Sequence, residues 1–121
     1  MDTPPLPSLP SLKIRIDLDT EDRIGPGKIR LLEAINTCGS ISAAGRTMNM
    51  SYKHAWDLVG EITRICNHDV IVRRVGGDKG GGAKLTPFGL ALVARYRKIE
   101  RSIISATRKE LLALNADIRK H

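Results

Sequence analysis

The chain has 121 residues, of which 41% are hydrophobic and only 3% aromatic, so we expect one small domain with an aliphatic, helix-rich core. Its formal net charge is +7, and the excess is uneven, since residues 1–22 carry −3 and the remaining residues carry +10. A basic excess of this kind favours a polyanionic partner such as the phosphate backbone of nucleic acid. Composition alone leaves open the alternative of a surface that is charged only for solubility.

Several classes of protein are disfavoured by what the sequence lacks. Cys38 and Cys66 are far apart and belong to no Cys/His cluster, which predicts reduced thiols in place of a disulfide framework or a zinc site. The N-terminal segment has no basic or apolar run, so no signal peptide is predicted, and no segment approaches the ~18 apolar residues of a membrane span. No nucleophile, base and acid are grouped. We therefore expect a soluble cytoplasmic protein that is not an enzyme and binds no cofactor.

The first predicted elements are a strand and a helix. Residues 1–11 hold four of the six prolines and are expected to form an extended, disordered tail. Apolar and charged residues then alternate from Leu12 to Leu18, which is the period of a half-buried strand. The segment DTEDRIGPG ends this strand. Pro26 suits the first turn of a helix, and Gly39 is a natural stop at its end.

The segment GSISAAGRTMNMS, followed by YKHAWDLVGEI, predicts two short helices joined by a tight turn, which is a helix-turn-helix. Ser40 and Ser42 are each suited to capping the start of the first helix, and Ser51 the start of the second. The small residues Ala44 and Gly45 are expected where the two helices approach closely. The second helix is predicted to bury Ala55, Val59 and Ile62 and to expose Tyr52, Lys53, His54, Trp56 and Asp57.

A hairpin and a long helix complete the predicted order. Residues 70–75 (VIVRRV) predict a strand, GGDKGGG a loop and residues 83–85 a returning strand. Thr86 and Pro87 are the residue types favoured at a helix N-cap and first position. The helix is expected to continue to about Asn115. Its apolar residues are spaced by four and three, which predicts a coiled-coil-like seam of Leu92, Tyr96, Ile99, Ile103 and Ala106.

This order of elements predicts a mainly α fold with a small β wing: a winged helix-turn-helix with a long C-terminal dimerisation helix. We expect the tail at residues 1–11, the winged helix-turn-helix domain at 12–85, the dimerisation helix at 86–115 and a second tail at 116–121.

The start of the second helix of the helix-turn-helix holds five candidate DNA contacts. Side chains there meet base edges in the major groove, and Lys53 is suited to guanine, Tyr52 to a phosphate or a thymine methyl group. Because a helix turns ~100° per residue, not all of them face DNA at once, and Ser51, Tyr52, Lys53 and Trp56 are preferred. A packing role for Trp56 is an equal alternative. His54 is expected to contact solvent or phosphate.

Further candidate contacts lie on the preceding helix and on the hairpin. Ser42 and Arg46 are suited to the DNA backbone, although Arg46 is equally suited to a solvated surface. The loop sequence lacks the GxxxxGK[ST] pattern of a nucleotide-binding loop, and it joins two strands where such a loop opens a helix. Its glycines and flanking cations favour a wing that approaches phosphates or the minor groove. The cations of this wing are Arg73, Arg74, Lys79 and Lys84.

Four motifs together resemble a known family: IGPGKIRLLEAI, GSISAAGRTMNMSYKHAW, GGDKGGGAKLT and LTPFG. They cover roughly residues 12–105 and are similar to the N-terminal DNA-binding domain of the molybdate-responsive ModE regulators, a winged-helix group related to LysR-type regulators. The resemblance implies a homodimer held largely by the long terminal helix, an inverted-repeat operator and a wing near the flanking backbone. Regulators of that family also carry small β-barrel domains that bind molybdate. Because this chain ends at His121, the resemblance implies a stand-alone DNA-binding half.

The predicted function is a homodimeric, sequence-specific transcriptional regulator whose partners are double-stranded DNA and a second copy of the chain. Two alternatives remain open at this point. A non-specific architectural protein would bind DNA with steep salt dependence and little sequence preference. An adaptor would pair its winged helix with a separate sensor chain.

Overall fold

The computed structural model describes residues 10–74 and 81–120 of the chain. Within them it has a winged-helix-like, mainly α fold with a small β wing, as predicted. The elements in chain order are β1 (Ile16–Asp17), β2 (Arg23–Ile24), α1 (Pro26–Cys38), α2 (Ile41–Thr47), α3 (Tyr52–Cys66), β3 (Ile71–Arg74), β4 (Gly82–Leu85) and α4 (Pro87–Arg119).

Three helices begin at a hydroxyl cap, and the sequence identifies all three caps. The side-chain oxygens accept a hydrogen bond at 3.0 Å from the backbone N–H three residues later, and the caps are Ser40, Ser51 and Thr86. Gly39 ends α1 with φ of 81°, a backbone conformation that glycine adopts without strain. The second predicted cap of α2 is wrong. Ser42 lies inside that helix, and its hydroxyl accepts from the Arg46 guanidinium at 2.9 Å.

Half-buried and exposed side chains alternate along the N-terminal segment as predicted, but the strand that it forms is much shorter. Every second side chain from residue 12 to 18 is half-buried, whereas the paired strand covers only two residues. Its partner is β2, which lies within the segment predicted to end the strand. A tight turn with Glu21 at φ of 70° joins the two. Upstream, the Ile14 carbonyl accepts a hydrogen bond at 2.5 Å from Tyr96 of α4 in place of a strand partner.

The core is aliphatic and centred on α1, which contacts α2, α3, α4 and β4. The fully buried side chains of α1 are Ile29, Leu31, Leu32 and Ile35. The α3 side chains in the same core are Ala55, Val59 and Ile62, as the spacing predicts. No buried side chain of the described residues is polar or charged apart from Tyr96, whose hydroxyl is hydrogen-bonded.

The first half of α4 belongs to this same core, which changes the predicted seam. Tyr96 is only 2% exposed and packs with Ile24 and Ile29, with Leu92 against the same cluster. Leu92 and Tyr96 are therefore not free for a partner helix, because the β1–β2 hairpin and α1 occupy that side. The helix also extends to Arg119, past its predicted end.

Among the described helices, none combines the length and hydropathy that a bilayer span requires.

Replacing Gly89 with alanine tests how tightly α4 begins against the segment that leads into β3. A Cβ at this position would lie far inside van der Waals contact of the Val70 carbonyl oxygen, so the backbone must shift. We expect Gly89→Ala to lower the free energy of unfolding by about 1–3 kcal/mol, measured by urea denaturation. Gly27→Ala in α1 is the matched control, because a Cβ there meets nothing within 4 Å. A Gly89→Ala protein as stable as this control would contradict the packing described.

Candidate nucleic-acid interface

The helix-turn-helix consists of α2 and α3, which pack so closely that α2 has no room for a larger side chain at Gly45. A Cβ on Gly45 would lie 3.2 Å from the Met50 carbonyl oxygen and 3.6 Å from the Ala55 methyl group. Asn49 turns the chain with φ of 56°, in the left-handed region that asparagine tolerates. Ala44 is fully buried. The two helices are therefore held in close contact, and α3 presents its opposite side to the outside.

The outermost line of α3 consists of positions spaced by four, three and four residues: Lys53, Asp57, Gly60 and Arg64. The Lys53 Nζ donates to Asp57 Oδ2 at 2.9 Å, with both side chains exposed. The hydrogen bond and the charge of Asp57 raise the pKa of Lys53, so its ammonium is charged at any physiological pH. The Lys53 ammonium therefore lies beside the Asp57 carboxylate, one turn further along the helix.

Trp56 connects α3 to the hairpin. The Arg73 guanidinium carbon lies 4.7 Å from the centre of the Trp56 ring, which is the geometry of a cation–π contact. The indole stays 40% exposed. The Trp56 ring therefore packs against the wing and still faces outward, so its packing role is partly met and its contact with DNA stays a prediction.

Three predicted residues from separate segments meet at one cleft. A cavity of about 210 Å³ lies between the start of α2, the start of α3 and the hairpin, and Ser42, Tyr52 and Arg73 line it together. Tyr52 is 49% exposed. The cleft brings two hydroxyl groups and one guanidinium to one point of the surface, a set of donors that suits a phosphate oxygen.

The outer face of the hairpin carries two further predicted cations. Arg73 pairs with Ala83 across the strands and lies towards α3, whereas Arg74 and Lys84 lie on the opposite face, since side chains alternate along a strand. Both line a wider cavity of about 430 Å³ together with Asn36. The wing therefore presents cations on both faces. Lys79 lies outside the described residues, as does most of the glycine-rich loop.

Ser51 and His54 lie at the start of α3 and are joined by the helix cap. The Ser51 hydroxyl accepts a hydrogen bond from the backbone N–H of His54, and both residues are exposed. Arg46 is exposed on α2 and donates a hydrogen bond to Ser42.

In residues 10–74 and 81–120, no three His, Cys, Asp or Glu side chains gather as a metal site would require.

Sequence reasoning missed the pairings that connect these residues. The period of α3 shows that Lys53 and Asp57 share a face, so the i,i+4 ion pair has a local signal. The contact between Arg73 and Trp56 has no local signal, because it depends on how the hairpin packs against α3. Arg64, at the far end of the outermost line, was also missed; it lies 3.5 Å from Asp22 and is 64% exposed.

Comparison with known proteins identifies relatives of this chain. The molybdenum transport protein ModE of Azotobacter vinelandii is 38% identical over 94 residues, which are 78% of this chain and 35% of that protein. The molybdenum-pterin-binding protein MopB of Rhodobacter capsulatus is 41% identical over 98 residues, or 81% of this chain and 36% of MopB. The DNA-binding transcriptional dual regulator ModE of Escherichia coli K12 is 41% identical over 71 residues, 59% of this chain and 27% of that protein.

The chain is homologous to ModE-family proteins. The resemblance carried by its motifs is thereby confirmed. No protein-family model matches the chain. It spans about a third of the length of the curated relatives it matches.

The contact between Arg73 and Trp56 is testable without DNA, because Trp56 is the one tryptophan of the chain. We expect Arg73→Gln to shift the tryptophan emission to longer wavelength and to increase its quenching by acrylamide, since the ring loses its guanidinium cover. Arg74→Gln removes the same charge from the opposite face of β3 and serves as the control. Equal spectra for the two variants would contradict the contact.

Proposed function

We propose that this chain is a sequence-specific DNA-binding transcriptional regulator that acts as a homodimer on an inverted-repeat operator. In this proposal the start of α3 enters the major groove, and the β3–β4 hairpin lies along the flanking backbone or minor groove. The relatives named as transcriptional regulators support the regulatory role.

One observation carries the proposal: the starts of α2 and α3 and the side of the hairpin that faces α3 bring predicted DNA contacts together on one surface. Ser42, Tyr52 and Arg73 share a cleft, and Arg73 contacts Trp56. All the predicted contacts that the structure describes are exposed: Ser42, Arg46, Ser51, Tyr52, Lys53, His54, Trp56, Arg73, Arg74 and Lys84.

The residues divide into two roles by their surroundings. Lys53 and Trp56 lie on the outward side of α3 and are assigned to base edges. Ser42, Tyr52 and Arg73 in the shared cleft, with Arg46 beside Ser42, are assigned to one stretch of phosphate backbone. Arg74 and Lys84 on the outer face of the hairpin are assigned to the backbone beyond it.

The second half of α4 supports the dimer. Beyond Tyr96, the same side of the helix continues as an apolar stripe whose last members are Leu114 and Ile118, 55% and 64% exposed. A second copy of this helix would cover such a stripe. Ile103 belongs to it and is half-buried.

The decisive experiment is selection of duplexes from a randomised library by the purified chain at physiological salt. The proposal expects an inverted repeat that is bound at least ~10³-fold more tightly than random duplex. Binding without a common sequence and with steep salt dependence would favour an architectural protein. Failure to retain any duplex would favour an adaptor that requires another chain.

Alanine substitutions separate base reading from backbone contact. We expect Lys53→Ala to weaken binding to the selected duplex by about 1–3 kcal/mol, with a smaller effect on random duplex. Arg46→Ala is expected to weaken both equally and to reduce the slope of log K against log salt by about 1. Fluorescence anisotropy titrations at several salt concentrations measure both. Equal losses for Lys53→Ala on the two duplexes would move Lys53 to the backbone class.

Charges placed on the apolar stripe of α4 test the dimer. We expect the double variant Leu114→Asp, Ile118→Asp to sediment as a monomer while its circular dichroism keeps the helical signal, because neither residue is part of the core. Leu112→Asp is the control, since Leu112 is similarly exposed but lies on the other side of the helix. A double variant that remains dimeric would exclude this stripe as the interface.

A further inference from the structure

Gly60 lies in the middle of α3 and has no structural reason to be glycine. Glycine inside a helix is less favourable than alanine, because the unfolded chain loses more conformational freedom. Such a residue is usually explained by a close neighbour or a left-handed backbone, and Gly60 has neither. A Cβ placed on it would meet no heavy atom within 4 Å, and its φ is not positive.

Two of the three other helical glycines differ in this respect. A Cβ on Gly45 would lie 3.2 Å from the Met50 carbonyl oxygen, and a Cβ on Gly89 would lie closer still to the Val70 carbonyl oxygen. Both glycines are therefore explained by packing within the chain. Gly60 shares its open space, as far as the described residues show, with Gly27, but Gly60 lies on the outermost line of α3 that the proposed function turns towards DNA.

Its position identifies the surface that approaches it. Gly60 is seven residues after Lys53 and four before Arg64, on the outermost line of α3. Without a side chain there, α3 has a gap beside a groove of about 360 Å³ between α3 and β3, which Trp56 and Arg73 also line. Arg73 lines this groove, and Lys53 and Arg64 lie further along the same outermost line of α3.

Each cation near the gap has an acidic neighbour. Asp57 is hydrogen-bonded to Lys53, Asp22 lies 3.5 Å from Arg64, and Asp69 lies at the groove with Arg73. Duplex DNA is therefore inferred from the place of the gap on α3, beside the proposed base contacts, and not from its net charge. The exposed indole beside the gap suits the apolar edges of bases.

We propose that Gly60 is the clearance position of the recognition helix, where bound duplex DNA comes so close to the α3 backbone that no side chain fits between them. This inference rests on the proposed function and adds to it how deeply α3 enters the major groove. Operator affinity then depends on the absence of a side chain at Gly60 and not on a contact that a side chain makes.

The test is Gly60→Ala in the full chain, measured for stability and for binding to the duplex that the wild-type chain selects from a randomised library. We expect the melting temperature to rise, because alanine favours the helix, and the affinity for the selected duplex to fall about tenfold or more. Gly60→Gln should reduce affinity further, since its side chain is longer. The salt slope should stay that of the wild type, because the loss is steric and removes no cation.

Gly27→Ala is the matched control, since Gly27 is the other helical glycine with open space and lies in α1 among none of the candidate contacts. It should keep the wild-type affinity. Unchanged affinity for both Gly60→Ala and Gly60→Gln would overturn the inference while leaving the proposed function intact. If the wild-type chain selects no duplex, the proposed function itself fails and the inference with it.

Discussion

The position of the whole candidate interface depends on the burial of one face of α1. Four of its side chains are fully buried, and the same helix contacts α2, α3, α4 and β4. Its C-terminal end also holds the hairpin. The Asn36 side-chain oxygen accepts from the Leu85 backbone N–H at 3.3 Å, and the Gly39 carbonyl accepts from Ala83 at 2.7 Å. Because one helix anchors both the helix-turn-helix and the wing, the contact between Arg73 and Trp56 is set by the core and not by the surface.

The distribution of aromatic residues follows from the same core. Only four are present, and Tyr96 alone is buried, where it joins α4 to the N-terminal segment. Tyr52 and Trp56 remain largely exposed on α3, although burying such rings is a major source of stability in most small domains. A chain with so few aromatic side chains that leaves two of them outside gives up part of that free energy. Their exposure beside cations is what a surface for a polyanion with apolar edges requires.

Local sequence signals predicted most of the elements but few of the contacts between them. Caps such as Ser51 and Thr86 act within three residues, and the spacing of Ala55, Val59 and Ile62 depends only on the helical period, so both are readable from sequence. The β1–β2 pair was missed because two-residue strands have no period. Tyr96 was assigned to a seam because its spacing fits one, and spacing does not distinguish an intramolecular partner from a second chain. The assignment of the contact residues to DNA remains a prediction.

The apolar side of α4 has two different environments in succession along the helix. Tyr96 and its neighbours contact the domain's own core, and Arg97 fixes the helix to α1 through a bidentate pair with Glu33, at 3.0 and 2.6 Å. The hydrogen bonds that Arg97 donates to Glu33 and Glu100 raise the pKa of Arg97, because they favour its charged form. A helix of 33 residues is about 50 Å long, and towards its C-terminal end Leu114 and Ile118 are exposed. If two copies paired through these residues, as proposed, the contacts of the first half of α4 with α1 would set the orientation of each α3 in the dimer. In such a dimer the geometry of α4 would set the spacing of the half-sites, because each α3 would have to reach the same face of the duplex one turn apart, about 34 Å.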